Sequence, residues 1–225
     1  MGTSTVSRTL LSDSSSTWAL IRPLDQRSSS VGLVQLYVIA RHGESTLNFE
    51  NRVNGDPNVP VHLTEKGRDE ARLLGEQLAH VPLQLCVHTE FSRTRETAEI
   101  ALAGRDVPLE EDAELGDIRI GELEGKTLDE YRTWKHTHSR SDAFPGGESL
   151  DDAARRYAGA FEHLLERPET AILVVTHEIP LRYAINAADG SDDLDGPAHL
   201  LANATPYLFD ADALRRAIAQ IRRLS

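Results

Sequence analysis

The sequence predicts an α/β fold: a three-layer α/β/α sandwich around a mostly parallel central sheet. Three observations lead there. Short, continuous apolar runs occur at 34–40, 83–89 and 171–176, bounded by polar or turn residues. Between them lie segments whose apolar residues return every three or four positions. Strand and helix alternate along the chain, an order that makes neighbouring strands parallel and places helices on both sheet faces.

Residues 34–40 form the first strand. Thr64, an N-cap residue type, opens a helix to about His80, with Ala71, Leu74 and Leu78 at helical spacing. Residues 83–89 make a second strand, and 93–103 a helix with Ala98, Ala101 and Leu102 on one stripe. After a polar loop, 127–136 reads as helical. Pro145, Gly146 and Gly147 break the chain, and Ser149 with Asp152 forms a capping box for a helix to about Glu166. A third buried strand at 171–176 leads to a helix at 180–188, a loop at 189–197, a strand near 207–209 and a terminal helix at 211–224. No internal repeat is present. The serine-rich, aperiodic residues 1–32 are predicted to be a flexible extension, and 33–225 a single domain.

The 225 residues, 40% hydrophobic, suffice for one sizeable core. A net charge of -12 argues against nucleic acid or an anionic membrane as partner, leaving room only for a local basic pocket. The single cysteine, Cys86, lies in an apolar run, so no intrachain disulfide forms and a buried, inert thiol in a reducing compartment is expected. No apolar stretch matches a membrane span or a signal-peptide core, which points to the cytoplasm. The 21 Arg against 3 Lys, with abundant Ala, fit a GC-rich bacterial genome.

In such a sheet, ligands bind beyond the carboxyl ends of the strands. Arg41-His42-Gly43 follows the first strand, Arg93 opens the helix after the second, and Thr176-His177-Glu178 ends the third. Arg-His-Gly alone is a weak signal. The topology, however, brings a second imidazole, His177, to the same edge. Two histidines and two arginines gathered there are unfavourable unless an anion fills the space, and phosphate is the natural candidate. No metal or cofactor signature accompanies them: His136-x-His138 lacks partner ligands, and no nucleotide-binding loop has the required spacing.

Over roughly residues 34–209 these motifs resemble the histidine phosphatase superfamily, which includes the cofactor-dependent phosphoglycerate mutases. The signature RHGE[ST] stands as Arg41, His42, Gly43, Glu44 and Ser45. The family's S-x-L-x-R-A-x-x-T-A is matched by T-E-F-S-R-T-R-E-T-A with Arg93 and Thr97-Ala98, and its late T-H-G by Thr176-His177 with Glu178 in place of the common glycine. The resemblance implies a phosphoglycerate mutase-like fold with His42 as nucleophile, forming a phosphohistidine that water hydrolyses. Arg41 and Arg93 should disfavour the imidazolium and keep that ring neutral. By the same resemblance Arg41, Arg93, His177 and Asn48 hold the phosphoryl group, and Asn54 with Gly55 lines the substrate side. An ordinary turn is an equal reading of Asn54-Gly55. In L-G-D-I-R-I-G-E-L-E-G, residues 115–125, Asp117 takes the register of the family's acid glutamate. Glu178 is the alternative acid, while Glu122 and Glu124 read as loop structure.

The expected activity is that of a phosphoric monoester hydrolase acting on a small-molecule phosphate ester and releasing inorganic phosphate. Mutase-type phosphoryl transfer shares the intermediate and has N-F-E-N-R in its favour. Against it, Ile120 stands where mutases usually carry tyrosine, and P-G-G-E-S, residues 145–149, has the compactness of the phosphatase branch. A catalytically silent phosphate-binding module that has lost its acid is a third reading.

Overall fold

The computed structural model of the protein describes residues 35–198 and 200–225. The 1–32 extension lies outside the described residues. Five strands, β1 (Leu36–Arg41), β2 (Leu85–His88), β3 (Leu109–Glu111), β4 (Ala171–Thr176) and β5 (Pro206–Asp210), form one sheet in the order β3-β2-β4-β1-β5. Every neighbouring pair is parallel except β1 with β5. The α-helices are α1 (Thr46–Phe49), α2 (Glu65–Gln77), α3 (Ser92–Ala101), α4 (Leu128–Thr137), α5 (Leu150–Leu165), α6 (Glu178–Ala188) and α7 (Ala211–Leu224).

Alternation along the central strands splits the core into two layers. Tyr37 and Ile39 of β1, with Ile172 and Val174 of β4, pack against α5, α6 and α7. Val38 and Ala40, with Leu173 and Val175, face α2 and α3. β1 and β4 run in register from Leu36↔Ala171 to Arg41↔Thr176, so the two strands end side by side. That shared end positions the site.

The helix starts follow the sequence closely. Thr64 Oγ1 accepts from Gly67 N at 3.0 Å, and Ser149 with Asp152 forms the expected reciprocal box. Thr127 makes a second such box with Glu130 ahead of α4. Strand ends differ from expectation by one or two residues, because pairing partners and not apolarity alone set them. Two elements carry no readable pattern: β3 is three exposed edge residues, and α1 is a single turn. Cys86 is fully buried, which pushes its thiol up to about 12. Among the described residues, no helix is long and apolar enough to cross a membrane.

Candidate active site

The chain leaves β1 through Arg41-His42-Gly43 and turns sharply under α2. A Cβ on Gly43 would lie 2.4 Å from the Gly67 carbonyl oxygen, and one on Gly67 would lie 2.0 Å from that of Glu44. Only glycine permits this contact of two backbones. The Gly43 amide donates to Thr97 Oγ1 of α3 at 3.0 Å, while His42 N donates to Thr176 O at 2.9 Å. From the other side, Asn203 Nδ2 donates to His42 O at 2.8 Å, and Ala204 N to Arg41 O at 2.9 Å. His42 is thereby fixed by three separate segments.

His42 Nδ1 lies 2.7 Å from Gly43 O. A carbonyl can only accept, so Nδ1 carries the proton and Nε2 keeps its lone pair. Burial, then Arg93 and Arg41, hold the imidazole well below its usual range, against the opposing pull of the Gly43 carbonyl. The ring is neutral near pH 7.

Arg93, on the first turn of α3, is the most connected side chain of the site. Nε donates to His42 Nε2 at 3.0 Å, Nη1 to Asn54 Oδ1, and Nη2 to Asn54 O at 3.2 Å, Asp117 Oδ2 at 3.2 Å and His177 Nδ1 at 3.1 Å. Its guanidinium carbon stands 4.4 Å from the Phe91 ring centroid. Burial pulls this arginine down to about 10, with Asp117 resisting. It retains its charge at neutral pH.

His177 packs edge-on to His42 at a centroid separation of 5.4 Å and lies behind Arg93. A guanidinium can only donate, so His177 Nδ1 is the acceptor and Nε2–H donates to Thr89 Oγ1 at 3.0 Å. Thr89 is held in turn by Thr94 at 2.8 Å. Burial and Arg93 keep His177 neutral as well.

Asp117 sits on the loop between two 3-10 turns, Ala113–Leu115 and Gly121–Leu123. Arg156 of α5 clamps that loop through Gly116 O at 3.1 Å and Asp117 O at 3.2 Å. Burial raises the Asp117 carboxyl, opposed by Arg93 and the Ile118 amide. Glu178 meets different partners: Oε2 is 3.0 Å from Arg41 Nη1, and Oε1 pairs with Arg182.

Asn48 Oδ1 accepts from Ser45 N at 3.2 Å, which leaves its amide NH2 as the end available to the cavity it lines. Arg41, His42, Asn48, Asn54, Arg93, Asp117 and Glu178 all line one cavity of about 540 Å³ beyond the β1 and β4 ends. His177, expected to donate to the phosphoryl oxygens, lies behind Arg93 with its N–H given to Thr89 and does not line this cavity, and neither does Gly55. Gly55 lines a neighbouring cavity, and a Cβ there would lie 2.2 Å from Ile118 O. Its place is a close backbone contact within a buttress built by Glu124, which accepts from Asn54 Nδ2 at 2.6 Å, Gly55 N at 2.7 Å and Asp56 N at 3.1 Å. Glu124 thus carries the residue that carries Arg93. Sequence reading did not assign that link, nor those made by Thr89, Asn203 and Arg156, since each partner is remote in the chain.

A neutral imidazole whose unprotonated Nε2 is met only by a guanidinium, two guanidiniums and a carboxyl group at one sheet edge suit phosphoryl chemistry. The sequence matches the profile of the histidine phosphatase superfamily (branch 1) over residues 37–222, and the protein belongs to that superfamily. A curated relative, 2,3-bisphosphoglycerate-dependent phosphoglycerate mutase 2 of Gloeobacter violaceus, is 36% identical over 169 residues, covering 68% of this chain and 75% of its own. Among solved structures, YhfR of Bacillus stearothermophilus is 30% identical, with a TM-score of 0.69 over 79% of this chain and 95% of that one. The fold is shared too with a putative alpha-ribazole-5'-P phosphatase of Escherichia coli, at 22% identity and TM-score 0.67 over 78% and 95% of the two chains.

Proposed function

We propose that the protein is a phosphomonoesterase that hydrolyses a small phosphorylated metabolite through a phosphohistidine on His42. The observation that carries this reading is the His42 ring itself: Nδ1 is pinned to Gly43 O at 2.7 Å, while Nε2 keeps its lone pair beside a buried Arg93. In the first step Nε2 attacks phosphorus and the ester P–O bond breaks, with its electron pair leaving on the alcohol oxygen. Asp117 protonates that oxygen, and its raised carboxyl suits the task. As the bond forms, Arg93 Nε transfers its hydrogen bond from the ring nitrogen to a phosphoryl oxygen. Arg41 and Asn48 donate to the remaining oxygens, so charge on the equatorial oxygens is met by fixed donors. In the second step Asp117 accepts a proton from water, water oxygen bonds to phosphorus, and the N–P bond breaks to release inorganic phosphate.

The cavity of about 540 Å³ lies within the range of small-molecule sites and exceeds what a phosphate alone requires. A small-molecule phosphate ester is therefore the proposed partner, and a cytoplasmic location is supported by the buried, unpaired Cys86. Transfer to a second substrate hydroxyl, as in a mutase, is the second reading, favoured by the name of the Gloeobacter relative. Ile120, 2% exposed on the cavity wall, supports the hydrolase, because it gives no hydrogen bond to a second acceptor alcohol. The test is a panel of phosphorylated metabolites with p-nitrophenyl phosphate, run beside rapid-quench labelling. Hydrolysis with acid-labile label on His42, absent in His42→Ala, is expected. Interconversion of phosphoglycerates faster than hydrolysis, or no label, overturns the proposal.

A further inference from the structure

Arg41 and Arg93 are held very differently. Arg93 spends all three nitrogens on protein acceptors. Among the described residues Arg41 is tied through Nη1 alone, to Leu201 O at 3.0 Å and Glu178 Oε2 at 3.0 Å. Its Nε has no hydrogen-bond partner among the described residues. Glu178, for its part, is bound from both sides, since Oε1 pairs with Arg182 one turn along α6. Arg182 also meets Asp195 at 3.2 Å, and Asp195 gathers Lys135 at 3.2 Å and Arg140 at 2.8 Å. A chain of alternating charge therefore runs from Arg41 across α6 to α4.

With one oxygen turned to Arg41 and the other to Arg182, the Glu178 carboxylate is oriented by the two guanidiniums and not toward a leaving group. It does something else: it lies on the cavity wall and offers Arg41 an anion in competition with phosphate. We infer that Glu178 is a positioning residue that competes with the phosphoryl group for Arg41 and so weakens retention of the inorganic phosphate product. The inference rests on reading this cavity as a phosphoryl site. When phosphate draws Arg41 away, Arg182 keeps hold of Glu178 Oε1, so the carboxylate stays beside the cavity and repels the bound anion. Exit of phosphate restores the Arg41 pair. Asp195 sets how far Arg182 is shared: a neutral residue there commits Arg182 to Glu178 and loosens the hold of Glu178 on Arg41.

The probe is inorganic phosphate itself, titrated calorimetrically into wild type, Glu178→Gln and Asp195→Asn at fixed ionic strength, with Tm recorded for each. Loss of the competing charge is expected to tighten phosphate binding about three- to tenfold in Glu178→Gln and by a smaller factor in Asp195→Asn. A merely structural role would lower Tm and weaken binding. Unaltered or weaker phosphate binding in Glu178→Gln overturns the inference. So does a leaving-group-dependent loss of turnover at unaltered phosphate affinity, which would make Glu178 the acid. Should Glu178→Gln fail to fold, Asp195→Asn decides, and unaltered affinity there overturns the inference. The two readings separate cleanly: wild type that binds phosphate yet never labels His42 defeats the phosphatase proposal, while tighter binding in Glu178→Gln would still uphold this one.

Discussion

Arg93 Nε donates to His42 Nε2 across 3.0 Å, so the guanidinium rests on the one ring nitrogen that carries no proton. The same guanidinium reaches Asn54, Asp117 and His177 through its other nitrogens. A lysine has a single charged nitrogen and cannot span these positions. Arg93→Lys is expected to lower kcat/KM for p-nitrophenyl phosphate by about 10²–10³, the usual loss when one preorganised donor is removed. Steady-state kinetics against the Arg41→Lys variant, with its looser tether, checks that the larger loss falls at Arg93.

Asp117→Asn separates substrates by leaving group. An alkyl ester needs a proton on its departing oxygen, and p-nitrophenolate does not. Turnover of an alkyl phosphate should fall by about 10²–10⁴ and that of p-nitrophenyl phosphate far less. Equal losses on both would remove Asp117 from the acid role.

The acid side of the pH profile follows from His42. In the proposed mechanism its neutral form attacks, and burial with two arginines holds the ring well below 6.5, so kcat/KM for p-nitrophenyl phosphate should not fall as pH drops through that value. Stability behaves otherwise. The unfolded chain binds protons on its histidines below about pH 6.5, whereas folded His42 and His177 refuse them. Their contribution is full above that pH and is lost as pH falls towards the folded values. Asp117, raised in the fold, contributes the opposite slope from about pH 3.9 upward. Melting temperatures between pH 7.5 and 5.5 should therefore decline, and more shallowly in His177→Asn.

Glu124 accepts three hydrogen bonds from the 54–56 segment. Glu124→Ala leaves those donors unpaired and should cost about 1–3 kcal/mol for each one that water cannot reach. Activity should fall with stability, because Asn54 then no longer fixes Arg93. Chemical denaturation alongside kinetics measures both.

Gly67→Ala sets two effects against each other. Within a helix, alanine is favoured over glycine by about 1 kcal/mol. Here its Cβ would lie 2.0 Å from Glu44 O, a contact that moves either α2 or the segment carrying His42. The clash should win, giving a lower Tm and reduced turnover. A higher Tm would show that the loop after β1 yields easily.

The strands, the capped helices and the cluster of Arg41, His42, Arg93 and His177 were legible because each rests on local rules: runs of apolar residues, N-cap chemistry, and polar residues at strand ends. What stayed hidden depends on distance in the chain. Asn203 touches His42 across 161 residues, and Glu124 reaches Asn54 across 70. The orientation of His177 was also unreadable. Its sequence neighbours place the ring at the sheet edge, but only the packed Thr89 and Arg93 decide which nitrogen accepts. Asn54-Gly55 shows both readings at once, since Asn54 grips Arg93 while Gly55 serves the backbone contact.

β1 pairs with β4 on one side and β5 on the other, and the 203–204 segment bonds back to Arg41 and Asn203 to His42. His42 follows the first strand in chain order, yet Asn203, which holds its carbonyl, lies 161 residues further on. A growing polypeptide halted before residue 170 would expose both edges of β1, a state open to wrong pairings. The surroundings of His42 are therefore complete only once the 203–204 segment has been made and has docked against the end of β1.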